Sequence, residues 1–277
     1  MSESLTLADQ RHRAHMRQLL ADAAACLGAT TNGMPVFGWR DRSIGARAQS
    51  TQGQSWLRVV TEQHRWATGD FWTGNTDANA IGGVPKPEVI DSVEWDDGPE
   101  RVRAESLTLM PGHPCSQTST VHEDPELSAP WWDALRVSLD RVARTPTRRV
   151  AVDQGSLTRR LMVFFGDAVD PTVGEWSTAH ADLHWNNLLA PHLGIVDWEG
   201  WGRAPVGLDA ATLYCHSLLV HRTADCVRTA FAEQLDSPDG IRSQLYVIAR
   251  LLLRIERGDN RELVVPLHRL ADSLLNR

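Results

Sequence analysis

Hydrophobic and polar positions repeat with different periods in the two parts of this chain. Over residues 5–27, Ala8, His12, Met16, Leu19, Ala23 and Leu27 recur at three- and four-residue steps. That spacing predicts an amphipathic helix, which Gly28 ends. From Val36 the reading changes to strands, at residues 36–39, 46–49 and 56–60, with a turn at 51–54. Residues 89–95 and 103–109 add two more strands, and Met110-Pro111-Gly112 then breaks the chain sharply. A flexible polar stretch at 113–128 follows. Helical periodicity then returns at 131–143 and 156–166, and again at 210–220, 224–235, 241–257 and 263–275. The pattern predicts an α+β chain in two parts: residues 1–112, a helix with a small antiparallel sheet, and residues 113–277, mainly helical.

Between the last two groups of helices lies the stretch with the most chemistry, His180-Ala181-Asp182-Leu183-His184-Trp185-Asn186-Asn187, followed by Gly194-Ile195-Val196-Asp197-Trp198-Glu199. Phosphoryl transfer asks a protein to orient a hydroxyl nucleophile, to hold Mg²⁺ against the phosphates and to exclude water. An Asp, an Asn five positions later and a second Asp are the groups that kinases use for this. Asp182 and Asn187 have that separation, and the short apolar strand 194–196 delivers Asp197 at its end, where a carboxylate can meet a cation.

These residues carry a resemblance. His180-Ala181-Asp182-Leu183-His184 with Asn187, then Ile195-Val196-Asp197-Trp198-Glu199 and Pro205-Val206-Gly207-Leu208-Asp209, are similar to the H-G-D-L-H-x-x-N, I-D-W-E and G-D-P-x-x-D-L-A motifs of the aminoglycoside phosphotransferase and choline kinase-like superfamily. The motifs cover about the third quarter of the chain. The resemblance implies a bilobal protein-kinase-like fold, with residues 1–112 as a sheet-bearing N-lobe on the nucleotide side and 113–277 as a helical C-lobe carrying the catalytic loop and acceptor site. It implies ATP or GTP as phosphoryl donor and Mg²⁺ as cofactor. Asp182 would be the catalytic base, Asn187 and Asp197 the Mg²⁺ ligands, and His180 and Asp209 the supports of the catalytic loop. A Pro-Gly after the interlobe linker places the hinge at 107–110, so that Leu107 and Met110 would flank the adenine contacts.

Plainer readings compete at some of these positions. His180 and His184 are four apart, as in a helical zinc pair, but a metalloprotease-like site would want a Glu where Ala181 stands. Asp197 and Glu199 lie too close along one local strand to suggest carboxylates flanking a sugar bond. Trp185, Trp198 and Trp201 are expected to pack beneath the loop, and Asp209 could equally cap the helix that starts there. Cys26, Cys115, Cys215 and Cys226 form no C-x-x-C pair, which argues against zinc and against a disulfide framework.

Charge and composition narrow the partners. A net charge of −7 gives nucleic acid no electrostatic support. No run of about 18 apolar residues suggests a membrane span, and Met1-Ser2-Glu3-Ser4 lacks the basic flank of a signal peptide. The expected setting is cytoplasmic, with a nucleotide and a small-molecule acceptor as partners, no membrane, and the oligomeric state open. Among the C-terminal helices Asp225, Glu233, Asp236, Asp239, Glu256, Asp259 and Glu262 offer acid for an aminocyclitol or another amine, unless they are solvated helix faces.

The nucleotide side departs from the kinase plan. A kinase places Lys on the third strand and Glu on the next helix. Here the strand offers Arg58, Glu62 follows it too closely, and residues 75–81 hold Asp77 but no Glu. Alternation puts Trp56, Arg58 and Val60 on one face; Arg58 either grips phosphate there or, with the register shifted, faces solvent. The glycine-rich loop is reduced to Arg42-Ser43-Ile44-Gly45-Ala46, in which Ser43 and a turn of backbone N–H groups could bind phosphate. The expected function is a small-molecule O-phosphotransferase, its acceptor hydroxyl belonging to an aminoglycoside, an amino sugar or a natural-product intermediate. The alternative is a non-catalytic nucleotide- or ligand-binding pseudokinase of the same fold.

Overall fold

A computed structural model describes residues 6–276, so Met1-Ser2-Glu3-Ser4 lies outside the described residues. The chain divides into two compact units, one formed by Met1–Asn79 with Pro87–Met110 and the other by Ala80–Lys86 with Pro111–Arg277.

In the first unit, helix α1 (Leu7–Cys26) starts at a capping box in which Thr6 Oγ1 accepts from Asp9 N and the Asp9 carboxylate accepts from Thr6 N. Strands β1 (Thr30–Phe37), β2 (Ser43–Ser50) and β3 (Gly53–Gln63) come next, then helix α2 (Gly69–Asp77) and strands β4 (Val89–Asp97) and β5 (Glu100–Thr108). The strands form one antiparallel sheet in the order β1-β2-β3-β5-β4. Period-two alternation gives the sheet two different faces. Ile44, Ala46, Ala48, Leu57, Val59, Val102 and Ala104 pack on Met16, Leu19, Leu20, Ala23 and Ala24 of α1. On the opposite face Val60 clusters with Ala67 and with Trp72 of α2.

Two elements escape the sequence pattern. Strand β1 begins six residues before the expected one, because as an edge strand it is largely exposed and carries Pro35 beside a register irregularity between Asn32 and Val36. Helix α2 spans nine residues and contains two glycines, too short and too poor in helix formers to show a period.

The second unit opens at Gly112, whose φ of +101° and whose approach to the Ala190 carbonyl, which leaves no room for a Cβ, both require glycine. Strand β6 (His113–Pro114) leads to helices α3 (Ala129–Arg144) and α4 (Gln154–Phe165). Four short strands follow, β7 (Trp176–Ala179), β8 (Leu188–Ala190), β9 (Gly194–Ile195) and β10 (Gly202–Pro205). Helices α5 (Leu208–Cys215), α6 (His221–Ala230), α7 (Ala232–Asp236), α8 (Pro238–Glu256) and α9 (Val264–Leu275) complete the unit. β7 pairs with β10, and β6, β8 and β9 make a second small sheet.

The polar stretch at 113–128 is anchored rather than loose: Cys115 N donates to Leu188 O, and Thr120 and Val121 are buried. The single helix expected at 224–235 is two, because Phe231 leaves helical geometry (φ −126°, ψ 25°) while its side chain is buried. Helix α8 starts three residues earlier than its apolar stripe, at a Ser237 cap whose Oγ accepts from Gly240 N, with Pro238 at the first helical position.

Candidate active site

The loop between β7 and β8 is held by a carboxylate that follows it in sequence. Asp209, buried in the first turn of α5, accepts 2.8 Å hydrogen bonds from the backbone N–H groups of both His180 and Ala181. Burial raises its pKa, and the two backbone donors work against that shift. Ala181 is driven into the left-handed region at φ +70°, a conformation that costs an L-residue about 1–2 kcal/mol. The H-G-D-L-H motif has Gly at this position, and the φ supplies the reason.

His180 is fully buried, and burial pushes its pKa down. The neutral ring fits one tautomer: Nε2–H donates to Val196 O at 3.0 Å, and Nδ1 accepts from Asp182 N at 3.4 Å. The ring meets Trp198 edge-on at 4.7 Å. Trp185, Trp198 and Trp201 are all buried; the first two donate to Ser217 Oγ and Ile195 O, and the Arg149 guanidinium lies over the Trp201 ring.

At the centre of this frame the Asp182 side chain remains 36% exposed. Its carboxylate lies 3.6 Å from His184 Nε2 and 3.6 Å from Arg250 Nη2. Burial opposes its ionisation, but His184, Arg250 and Arg254 outweigh it and hold the carboxyl below the ordinary aspartate value. Asp182 is therefore ionised at neutral pH and able to accept a proton.

Asn187 is buried, and its Nδ2 donates to Asp182 O at 3.0 Å, which leaves Oδ1 as an oxygen ligand. Its backbone carbonyl accepts from Val196 N, one rung beyond the β8–β9 pairing of Leu188 with Ile195. The hairpin thereby carries Asp197 back to the loop. Asp197 is exposed and also sits in the left-handed region, at φ +67°, a local strain of the kind that gathers at functional sites. Among the described residues no group of three His, Cys, Asp or Glu side chains forms a metal cage. A set of one amide oxygen and one carboxylate suits Mg²⁺, which takes few protein oxygens and completes its shell with substrate phosphates and water.

In the first unit Arg58 lies on the face of β3 opposite α1, directly across from Glu105 of β5. Arg58 Nη1 is 3.6 Å from Glu105 Oε2, and the Glu105 side chain is only 2% exposed. The same oxygen accepts from Asn75 Nδ2 of α2 at 2.8 Å, and Glu105 Oε1 accepts from Arg103 Nε at 2.8 Å. The strand cation thus has its acid on the neighbouring strand, with an amide where a kinase helix carries Glu. Sequence reading missed Glu105 because it looked for the acid on the helix; the alternation that aligns Arg103 and Glu105 on one face of β5 was the available signal. Leu107 is on that face too and is buried, while Met110 is the last residue of the unit and partly exposed. Ser43 opens β2, where its carbonyl accepts from Gly38 N. The turn between them holds Arg40 and Asp41 at positive φ, and Arg13 of α1 fixes Asp41 through two hydrogen bonds, Nε at 2.6 Å and Nη2 at 3.0 Å.

No protein-family model matches this chain, and no curated protein matches it. Solved structures do. A thermostable mutant of aminoglycoside phosphotransferase APH(4)-Ia, in a ternary complex with AMP-PNP and hygromycin B, is 14% identical, with a TM-score of 0.64 over 94% of this chain and 98% of that one. Aminoglycoside 2'-phosphotransferase-IIIa, as a GDP complex, is 13% identical with a TM-score of 0.57 over 95% and 98%. Choline kinase LicA from Streptococcus pneumoniae is 11% identical with a TM-score of 0.53 over 95% and 100%. The fold is that of these kinase-like proteins across nearly the whole chain.

Proposed function

We propose that this chain is a small-molecule O-phosphotransferase that uses ATP or GTP with Mg²⁺, and that Asp182 is its catalytic base. The observation that carries the reading is the Asp182 carboxylate itself: ionised, part-exposed, and fixed by a strained loop that Asp209 clamps from behind. The structures sharing this fold include complexes with AMP-PNP and with GDP, which supports a nucleoside triphosphate donor.

In this reading the acceptor hydroxyl lies against Asp182, which takes its proton as the oxygen attacks the γ-phosphorus, and the nucleoside diphosphate departs. Asn187 Oδ1 and the Asp197 carboxylate would hold Mg²⁺, which when bound neutralises developing phosphate charge. Arg58, kept in place by Glu105, would face the α- and β-phosphates, with the Gly38–Ser43 turn near the phosphate chain. Leu107 and Met110 would flank the base, at a hinge between an N-lobe of residues 1–112 and a C-lobe of 113–277. His180 and Asp209 act through the loop rather than on the substrate.

The test is nucleotide turnover by the parent and by Asp182→Asn. The parent should release ADP or GDP in a Mg²⁺-dependent reaction, and the variant should lose roughly two to four orders of magnitude of it, the usual worth of a positioned base, at unchanged nucleotide affinity. Parent-like turnover in the variant would remove Asp182 from the chemistry. A parent that binds nucleotide without turning it over would instead make the chain a pseudokinase.

A further inference from the structure

Besides the apolar contact of Trp72 with Val60, helix α2 is fastened to the sheet of the first unit by polar side chains, and one arginine stands at the centre of that fastening. Arg103 of β5 is only 7% exposed, and its three guanidinium nitrogens have partners on three elements. Nε donates to Glu105 Oε1 on β5 at 2.8 Å, Nη1 donates to Glu94, directly across on β4, and Nη2 donates to Thr76 Oγ1 of α2 at 2.5 Å. Glu94 also accepts from Trp72 Nε1 of α2 at 3.1 Å and pairs with Arg101 at 2.8 Å. A planar fork spans acceptors placed this way, whereas a lysine offers a single nitrogen.

The consequence falls on Glu105. Its two oxygens are divided: Oε1 accepts from Arg103, and Oε2 accepts from Asn75 Nδ2 at 2.8 Å. Arg58 stands opposite Glu105 in the β3–β5 register. A carboxylate with both oxygens open would draw such a neighbour into a bidentate pair at about 2.7–2.9 Å. The contact stops instead at 3.6 Å, on Oε2. The acid that anchors Arg58 is thereby kept from closing on it.

We infer that Arg103 is a positioning residue for the nucleotide: by occupying Glu105 Oε1 it holds the carboxylate off Arg58 and so sets where the Arg58 guanidinium stands for the α- and β-phosphates. This rests on the reading of Arg58 as a phosphate ligand given above. Arg103 itself touches neither the nucleotide nor the reacting atoms; its effect passes through Glu105 and Arg58. Without it, Glu105 Oε1 is a buried acceptor that has lost its donor, and Arg58 is the neighbouring cation that moves in to satisfy it.

A double-mutant cycle tests this. The full chain is titrated calorimetrically with Mg²⁺-ATP and with adenosine, as the parent, Arg58→Ala, Arg103→Gln and the two combined. Arg103→Gln should weaken ATP binding roughly fivefold or more, while adenosine, which carries no phosphate, stays within about twofold. In the Arg58→Ala background the same substitution should change ATP affinity by less than about twofold, because the group through which Arg103 acts is gone. Arg103→Lys should regain part of the loss, since a cation again meets Glu105. Where Arg103→Gln does not fold, Arg103→Gln with Glu94→Gln, which removes the acid stranded beside it, takes its place in the cycle. Unchanged ATP affinity, a loss shared equally by adenosine, or a loss undiminished in the Arg58→Ala background would overturn the proposal. ADP release by the same proteins separates it from the phosphotransfer reading. Coupled affinities without turnover leave Arg103 assigned and make the chain a pseudokinase, whereas Asp182-dependent turnover with additive affinities keeps the phosphotransferase and removes the Arg103 assignment. A parent that binds no ATP would overturn both.

Discussion

The loop of the second unit and the third strand of the first unit answer two chemical demands in different ways. In and beside the loop, Asp182, Asn187, Asp197 and Asp209 have the residue types and spacing of the kinase-like motifs, with Asp209 clamping the loop backbone from α5 and Asn187 donating to the Asp182 carbonyl. On the strand the cation is Arg58, its acid is Glu105 on β5, and α2 contributes Asn75. On the proposed reading, the difference follows from what must be held. A proton acceptor and an oxygen ligand act over single bonds, so an atom displaced by an ångström fails. A positive charge facing two phosphates acts over several ångströms, and a neighbouring strand can anchor it as well as a helix can.

The largest effect on stability is expected from removing the loop's clamp. Asp209→Ala leaves the N–H groups of His180 and Ala181 buried without their acceptor. The loss should be on the order of 3 kcal/mol, read by urea denaturation, and a change below about 1 kcal/mol would show that the loop stands without its clamp.

On the strand side, Arg58→Ala should weaken nucleotide binding by about 1.5–3 kcal/mol, and Arg58→Lys should recover part of it, since charge returns without the planar fork. Calorimetry with Mg²⁺-ATP decides this. Affinity unchanged in Arg58→Ala would make the pair with Glu105 purely structural and break the comparison.

A third effect depends on pH. Burial pushes His216 down to about 3, against an unfolded value near 6.5. Between those values the unfolded chain binds the extra proton, so stability falls as pH drops from about 6.5 toward 3, by up to about 1.4 kcal/mol per pH unit from this histidine. His180 and His184, also lowered, act in the same direction. His216→Asn should flatten the slope by one histidine's share; a parallel curve would mean that His216 takes up protons while folded.

The smallest effect concerns strain. Ala181→Gly should stabilise the chain by about 0.5–1 kcal/mol, because glycine occupies φ +70° without penalty. Thermal denaturation of the pair checks it, and a destabilised variant would show that the Ala181 methyl packs more than it strains.

How much of this was legible in the chain follows the same division. The helix–sheet partition and the C-terminal helices were readable because their periods are long and regular, and the loop because its chemistry is local: Asp182, Asn187 and Asp197 lie within 16 positions. Helix α2 and the edge strand β1 were not, having little periodicity to show. The Arg58–Glu105 pair joins residues 47 apart, and only the β3–β5 register brings them face to face. The placement of Arg250 was hidden similarly, since only the packing of α8 brings it to 3.6 Å from Asp182.

Whether this loop is a working phosphoryl-transfer centre is tested most directly by nucleotide turnover as a function of Mg²⁺ concentration for the parent and Asp197→Ala. The parent should show saturable, Mg²⁺-dependent release of nucleoside diphosphate, and the variant should need far more Mg²⁺ or lose turnover altogether. Identical Mg²⁺ responses in the two proteins would contradict the claim.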